Sequence, residues 1–222
     1  MASAPERILA VVAHPDDETL GIGATLAKHC RAGDAVSIVA FADGLAARGP
    51  VTKANIDIRH GAFRKACKIL GTEDVWIHQY ADNQMDTLAL LTVVKHVEVH
   101  VNRFKPTIVY THCHGDLNVD HRVMHDATNV ACRPAPGCTV KKLLYFEIPC
   151  STAWGDGFTP RYYVDVEDTI EAKIEAARCY AEELREPPHP RSLAGIARLA
   201  ELRGSVVGIK FAEAFEIRRI VA

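Results

Sequence analysis

Residues 14–18 read His14-Pro15-Asp16-Asp17-Glu18, four groups able to bind a cation or move a proton, crowded into five positions. An aspartate at a helix start accepts backbone N–H bonds and suits the positive end of the helix dipole, so capping accounts for one of these acids. It does not account for three acids behind a histidine that ends an apolar run. Three like charges this close repel, and a divalent cation relieves them. A second cluster, Thr111-His112-Cys113-His114-Gly115-Asp116-Leu117-Asn118-Val119-Asp120-His121, supplies further imidazoles and carboxylates. His14, one acid of the first cluster and His121 would make a two-histidine, one-carboxylate site of the kind zinc accepts, with a position open for water. An adjacent free carboxylate could then take the water's proton. His112 and His114 share a face of an extended chain and are alternatives to His121 as ligands. His121 and His125 stand four apart, as in zinc proteases, but Arg122 occupies the place of the protease glutamate.

The elements that must position these groups follow from the hydrophobic pattern. Short apolar strands are expected at 7–13, 35–42, 74–78, 106–111 and 142–146, and helices at 17–31, 52–70, 86–104 and 121–132. Asp120 is expected to cap the last of these, placing His121 in its first turn. The alternation implies parallel βαβ units, whose ligands bind outside the carboxyl ends of the strands. His14–Asp17 follows the first strand, Asp43 the second, and the 112–121 loop the fourth, so three polar loops converge on one rim. Residues 149–163 read as irregular and aromatic. Helices are expected at 168–183 and 191–203, with 211–220 closing an edge of the sheet. Gly21-x-Gly23 suggests a dinucleotide turn, but Leu26 stands at the third glycine position and the turn is acidic; small residues here let a helix lie close to the sheet.

The chain has 222 residues, 48% hydrophobic and 24% charged, with a net charge of −2. That suits one globular α/β unit spanning 1–222, with 149–222 as an extension that shapes the pocket. Nothing in it suggests a nucleic-acid surface, and no run approaches a membrane span of ~20 apolar residues. Seven scattered cysteines without a Cys-x-x-Cys fit free thiols in the cytoplasm.

The motif 14–18, preceded by an apolar strand and Ala13, resembles the signature of the PIG-L/LmbE-like deacetylases, and Asp116-x-Asn118-x-Asp120-His121 resembles their second motif. Arg59, Leu70-Gly71 and Ala212-Glu213-Ala214-Phe215 extend the resemblance over most of the chain. It implies a Rossmann-like three-layer α/β sandwich with a mostly parallel sheet. It also implies His14, Asp17 and His121 as ligands to one Zn2+ per chain, although the donor set tolerates other divalent metals. Asp16 would be the general base, with Asp120 hydrogen-bonded to a ligand or a catalytic histidine. The implied reaction is removal of an acetyl group from an N-acetylglucosamine-type sugar or conjugate. Alternatives are an amidase on a non-sugar amide, or a sugar- or nucleotide-binding module without catalysis. Relatives include both monomers and assemblies, so a homo-oligomer is compatible. Many relatives carry His where this chain has Asn118, so the oxyanion donor is either Asn118 or one of His112 and His114. Arg59, Asp43 and His114 are the expected substrate contacts.

Overall fold

Along the first strand, β1 (Arg7–Val12), side chains alternate between two hydrophobic cores. Ile8, Ala10 and Val12 join one, and Leu9 and Val11 the other. A strand buried on both faces belongs in the middle of a sheet with helices on either side. The computed structural model describes residues 4–45 and 51–222. The remaining elements are α1 (Asp17–Arg31), β2 (Ala35–Ala42), α2 (Lys53–Leu70), β3 (Val75–Tyr80), α3 (Leu90–Phe104), β4 (Ile108–His112), α4 (Val119–Ala131), β5 (Lys142–Phe146), β6 (Tyr162–Asp165), α5 (Ile170–Arg178), α6 (Leu193–Val207) and β7 (Ala212–Ile220).

Seven strands lie in the order β3-β2-β1-β4-β5-β7-β6 among the described residues. The first five are parallel, and β7 runs antiparallel to both β5 and β6. One core takes Ile22 of α1, Phe63 of α2, Ala176 of α5 and Ile196 of α6. The other takes Val97 of α3 and Met124 of α4. The result is the three-layer α/β sandwich with a mostly parallel sheet. The chain order reverses where β1 pairs with β2 on one side and β4 on the other, which is where such sheets open a crevice beyond their carboxyl ends. His14 follows β1 and His112 ends β4, so both polar clusters arrive at that crevice.

Several expectations shift. The strand at 211–220 does not close an edge: β7 lies between β5 and β6. The edge is β6, drawn from the tail of the aromatic run 149–163, whose short Tyr-Tyr-Val-Asp stretch is too brief to show a period. The helix expected from 86 begins at Leu90, because residues 85–87 form a separate 3-10 turn. α5 stops at Arg178 rather than 183. The cap of α4 is Asn118, not Asp120: its side chain accepts from the Asp120 and His121 N–H groups. Beyond Asp43, which the sequence places on the rim after the second strand, residues 46–50 lie outside the described residues. The close helix packing holds, since a Cβ on Gly21 would sit 2.5 Å from the Phe146 ring.

Candidate metal centre

The tight turn between β1 and α1 puts three side chains to separate uses. Asp16 occupies the cap position of α1, yet its side chain makes no capping hydrogen bond. The turn is closed by its neighbours: the His14 N–H donates to Asp17 Oδ2 at 2.8 Å, and the Asp16 N–H donates to Glu18 Oε2 at 3.0 Å. Asp16 has φ 129°, a region that disfavours any side chain. Such strain persists where the surroundings impose it, and it gathers at functional sites. Here it turns a buried carboxylate away from the helix and into a cavity.

His14 Nδ1, His121 Nε2 and an Asp17 oxygen converge. His14 Nδ1 lies 3.3 Å from His121 Nε2 and 3.3 Å from Asp17 Oδ2, and the three buried groups offer atoms within 4.8 Å of one another. Carboxylates fix both rings from behind. His14 Nε2 meets Asp120 Oδ2 at 3.0 Å and Asp82 Oδ1 at 3.1 Å, while His121 Nδ1 faces Asp116 Oδ1 at 3.0 Å. A carboxylate on the far nitrogen leaves the near one as a lone pair for a cation. Asp17 Oδ1 is buried without a hydrogen-bond partner, the kind of atom a bound cation satisfies. The two-nitrogen, one-oxygen donor set therefore fits a divalent metal.

His14, Asp82 and Asp120 form a second cluster of ligand-type atoms. Asp120, however, is already spoken for: its two oxygens accept from the Asn83 and Met85 N–H groups at 2.7 and 2.9 Å as well as facing His14. That makes it an orienting group for the His14 ring. Asp116 is similarly committed, accepting from Ser151 and Thr152 hydroxyls at 2.9 and 2.6 Å.

Electrostatics follow this arrangement. Burial alone would push the His14 imidazole down, but Asp120, Asp17 and Asp82 outweigh it and hold it well above its usual range. His121 is likewise lowered by burial and raised more strongly by Asp17 and Asp116, to about 9. Such a pull on protons is what a cation replaces on binding. Burial raises Asp16 to about 6, opposed by Arg191 and reinforced by Asp17. Burial also raises Glu18 to about 7, although the Thr19 and Tyr180 hydroxyls donate to it.

A cavity of about 60 Å3 opens beside this centre, lined by His14, Asp16, Arg59, Asp82, Asn118 and Arg191 among others. Arg59 is buried and donates to the carbonyls of Pro15 at 3.2 Å and Gly44 at 3.1 Å and to the Glu183 carboxylate, tying the metal turn to α2. Arg59 and Arg191 lie 3.8 and 3.6 Å from Asp16 Oδ2. Asn118 reaches the cavity rim, with Nδ2 donating to Asn83 Oδ1 at 3.1 Å.

His112 is brought to the centre but not into its cavity: it is fully buried, its ring stacks on His121 with centroids 4.0 Å apart, and its Nε2 lies 3.4 Å from Asp17 Oδ2 and accepts the Ala13 N–H at 2.9 Å, so that lone pair is used. His114 points away; its side chain is 72% exposed beside Asp126 and His125. Exposed loop direction, which a sequence does not encode, separates it from the cavity, and neither ring is in place to serve an oxyanion. Asp43 accepts the Leu45 N–H at 2.8 Å, while its neighbour Gly44 lines the cavity. Asp82, Asn83, Glu183 and Arg191 join the site without having been expected there. For Asp82 a signal existed, an acid just beyond the end of a parallel strand; Glu183 and Arg191 had none.

The family model described as GlcNAc-PI de-N-acetylase (PIG-L) matches residues 9–132. The uncharacterized deacetylase YaiS of Escherichia coli (strain K12) is 32% identical over 186 residues, covering 80% of this chain and 93% of that protein. Among solved structures, the N,N'-diacetylchitobiose deacetylase from Pyrococcus horikoshii superposes with a TM-score of 0.76 at 19% identity, covering 96% of this chain and 83% of that one. GalB, the 4-carboxy-2-hydroxymuconate hydratase from Pseudomonas putida KT2440, superposes with a TM-score of 0.74 at 21% identity, covering 97% of each chain. At such identities the likeness shows the fold alone, and a fold shared with a hydratase does not choose the reaction.

Proposed function

The chain belongs to the GlcNAc-PI de-N-acetylase (PIG-L) family, and from that premise we propose that it is a zinc-dependent deacetylase. It hydrolyses the N-acetyl amide of an N-acetylglucosamine-type sugar or conjugate. One observation carries this reading: a buried His14–Asp17–His121 donor set with the strained Asp16 beside it, its carboxylate free of any capping bond. A pure binding module has no use for that second carboxylate.

In this reading His14, Asp17 and His121 hold the metal, and Asp120, Asp82 and Asp116 orient its imidazoles. When bound there, a divalent metal supplies a Lewis acid that acidifies an attacking water and polarises the amide carbonyl. Asp16, held near 6, is ionised at neutral pH and basic enough to take the water's proton and pass it to the leaving amine. Arg191 and Arg59 keep its carboxylate aimed into the cavity. Asn118 Nδ2–H donates to the developing oxyanion. The small cavity suits an acetyl group, and Gly44 and Arg59 close one wall.

We read the chain as one catalytic domain, completed by its C-terminal strands. Its seven cysteines are all free, which supports a cytoplasmic site, and no helix among the described residues is long and apolar enough to cross a membrane.

The test combines metal analysis with acetate release. Asp16→Asn should keep its zinc and lose about 10²–10⁴-fold in turnover, the range for a removed general base. His121→Ala should lose the zinc. Full acetate release by metal-stripped protein, or unchanged zinc in His121→Ala, would defeat the assignment.

A further inference from the structure

The polar run 111–121 and the helix it feeds hold three ligand-type side chains that the metal centre does not use. His114 lies in the loop between β4 and α4, and His125 and Asp126 lie on α4, one turn beyond His121. The fold brings them together: each offers one donor atom, and the three atoms lie within 4.8 Å of one another. Asp126 Oδ1 is 3.9 Å from both His114 Nδ1 and His125 Nε2, and the two rings are tilted with centroids 5.2 Å apart.

His125 is the fixed member. Its Nδ1 lies 3.0 Å from the His112 carbonyl oxygen, which can only accept, so Nδ1 carries the proton and the neutral ring keeps its Nε2 lone pair for a ligand. The ring is seated against Tyr145 with centroids 4.4 Å apart, and the side chain is only 11% exposed. The other two members are unspent. The His114 and Asp126 side chains are 72% and 51% exposed and make no hydrogen bond among the described residues. A separation of 3.9 Å is too long for a hydrogen bond. It is somewhat wider than the edge of roughly 3.3 Å that bonds of about 2.0 Å give a tetrahedral zinc. Small rotations of two exposed side chains close the difference. Two imidazoles and a carboxylate suit Zn2+ and its borderline neighbours, with water completing the shell.

We propose that His114, His125 and Asp126 form a second transition-metal site, separate from the His14–Asp17–His121 centre, and that Zn2+ held there staples the β4–α4 loop to α4. That loop carries Asp116, which faces His121, and Asn118, which caps α4. Two of the three donors stand in solvent, so this ion exchanges readily and the inner centre binds more tightly.

Metal-stripped full-length protein would be titrated with Zn2+ against a chromogenic chelator. No substrate is present, so the outcome does not depend on the deacetylase reading. Wild type should take up two equivalents, the second more weakly and removable by dialysis, so that dialysed protein reports the inner centre alone. His114→Ala and Asp126→Ala should each keep the first equivalent and weaken the second by tenfold or more. His121→Ala should keep the second and lose the first. Thermal melts give an independent readout. At zinc about 100-fold above the second dissociation constant, the zinc-induced rise in melting temperature should be about 3–5 °C smaller in either exposed variant than in wild type. That is the shift a tenfold weaker ion gives in a chain of this size. Absence of a dialysable equivalent in wild type, or one of undiminished affinity in His114→Ala or Asp126→Ala, would overturn the proposal. A chain that takes up only the dialysable equivalent would keep this site and remove the inner one.

Discussion

Asn118 holds two jobs in one amide. Its Oδ1 caps α4 by accepting from the Asp120 and His121 N–H groups at 2.8 and 3.4 Å, while its Nδ2 faces Asn83 at the cavity rim. Substitutions separate the two. Asn118→Asp keeps a capping acceptor and removes the N–H donor; Asn118→Ala removes both. Losing the cap costs about 1 kcal/mol, so Asn118→Ala should melt several degrees below wild type and Asn118→Asp close to it. Both should lose roughly 10²-fold in kcat, the scale of one lost oxyanion donor. An Asn118→Asp enzyme with native kcat would move that role to one of the two guanidinium groups at the cavity, Arg59 or Arg191. At this scale the sequence is informative where chemistry is local: the crowding of His14, Asp16 and Asp17 is legible without a structure. The positive φ that frees Asp16 from capping is not, because no neighbouring residue announces it.

Between single residues and the whole lie contacts from one element to the next, where isolated-looking residues turn out to be grouped. His78, His96 and His100 each lack an acidic cluster beside them in the sequence. In the structure β3 and α3 stack them: His78 Nε2 meets His100 Nε2 at 2.9 Å, and the His78 and His96 rings lie 5.3 Å apart. Trp76, Phe41, Tyr80, Arg103 and Asp74 surround the group. Burial first, then His78 and Arg103, hold His100 near pH 4, against the opposing pull of Asp74. The unfolded chain therefore binds more protons than the native one between about 6.5 and 4, and the folded state loses stability as pH falls through that window. For His100 the loss amounts to about 3 kcal/mol. Urea midpoints at pH 7, 5.5 and 4.5 should decline steeply in wild type and less steeply in His100→Leu; parallel slopes would show that the acid sensitivity lies elsewhere. Helix and strand periods located α3 and β3 but not this pairing. The register of a helix against a strand is set by packing, not by either period alone.

At the scale of the molecule, the C-terminal strand reaches back to the helix that begins at the metal turn. α1 departs from helical geometry at Ile22, which interrupts its hydrogen-bond ladder. Glu213 of β7 answers the break: its carboxylate accepts the Ala24 and Thr25 N–H groups at 3.1 and 2.6 Å, and Lys173 of α5 neutralises it at 2.6 Å. All three partners are buried, so the pair is costly to form and more costly to break on one side. The resemblance singled out Ala212–Phe215 without giving its task. An alternating pattern does not distinguish an edge strand from one paired on both sides, so the reach of Glu213 to α1, across nearly the full chain, was illegible. Glu213→Gln and Lys173→Met should each cost about 3–5 kcal/mol, the penalty for leaving one buried charge or its partner unpaired. The double variant should cost much less than their sum, because it removes both charges while the substituted amide still offers a carbonyl to the open N–H groups. Thermal melts of the four proteins give the coupling energy directly. If Glu213→Gln also lowers zinc affinity and the double variant restores it, the pin sets the metal turn through α1. If stability falls while zinc affinity holds, the kink absorbs the disturbance, and the turn is held without the pin, by Arg59, by its own Asp17 and Glu18 carboxylates and by the carboxylates behind His14.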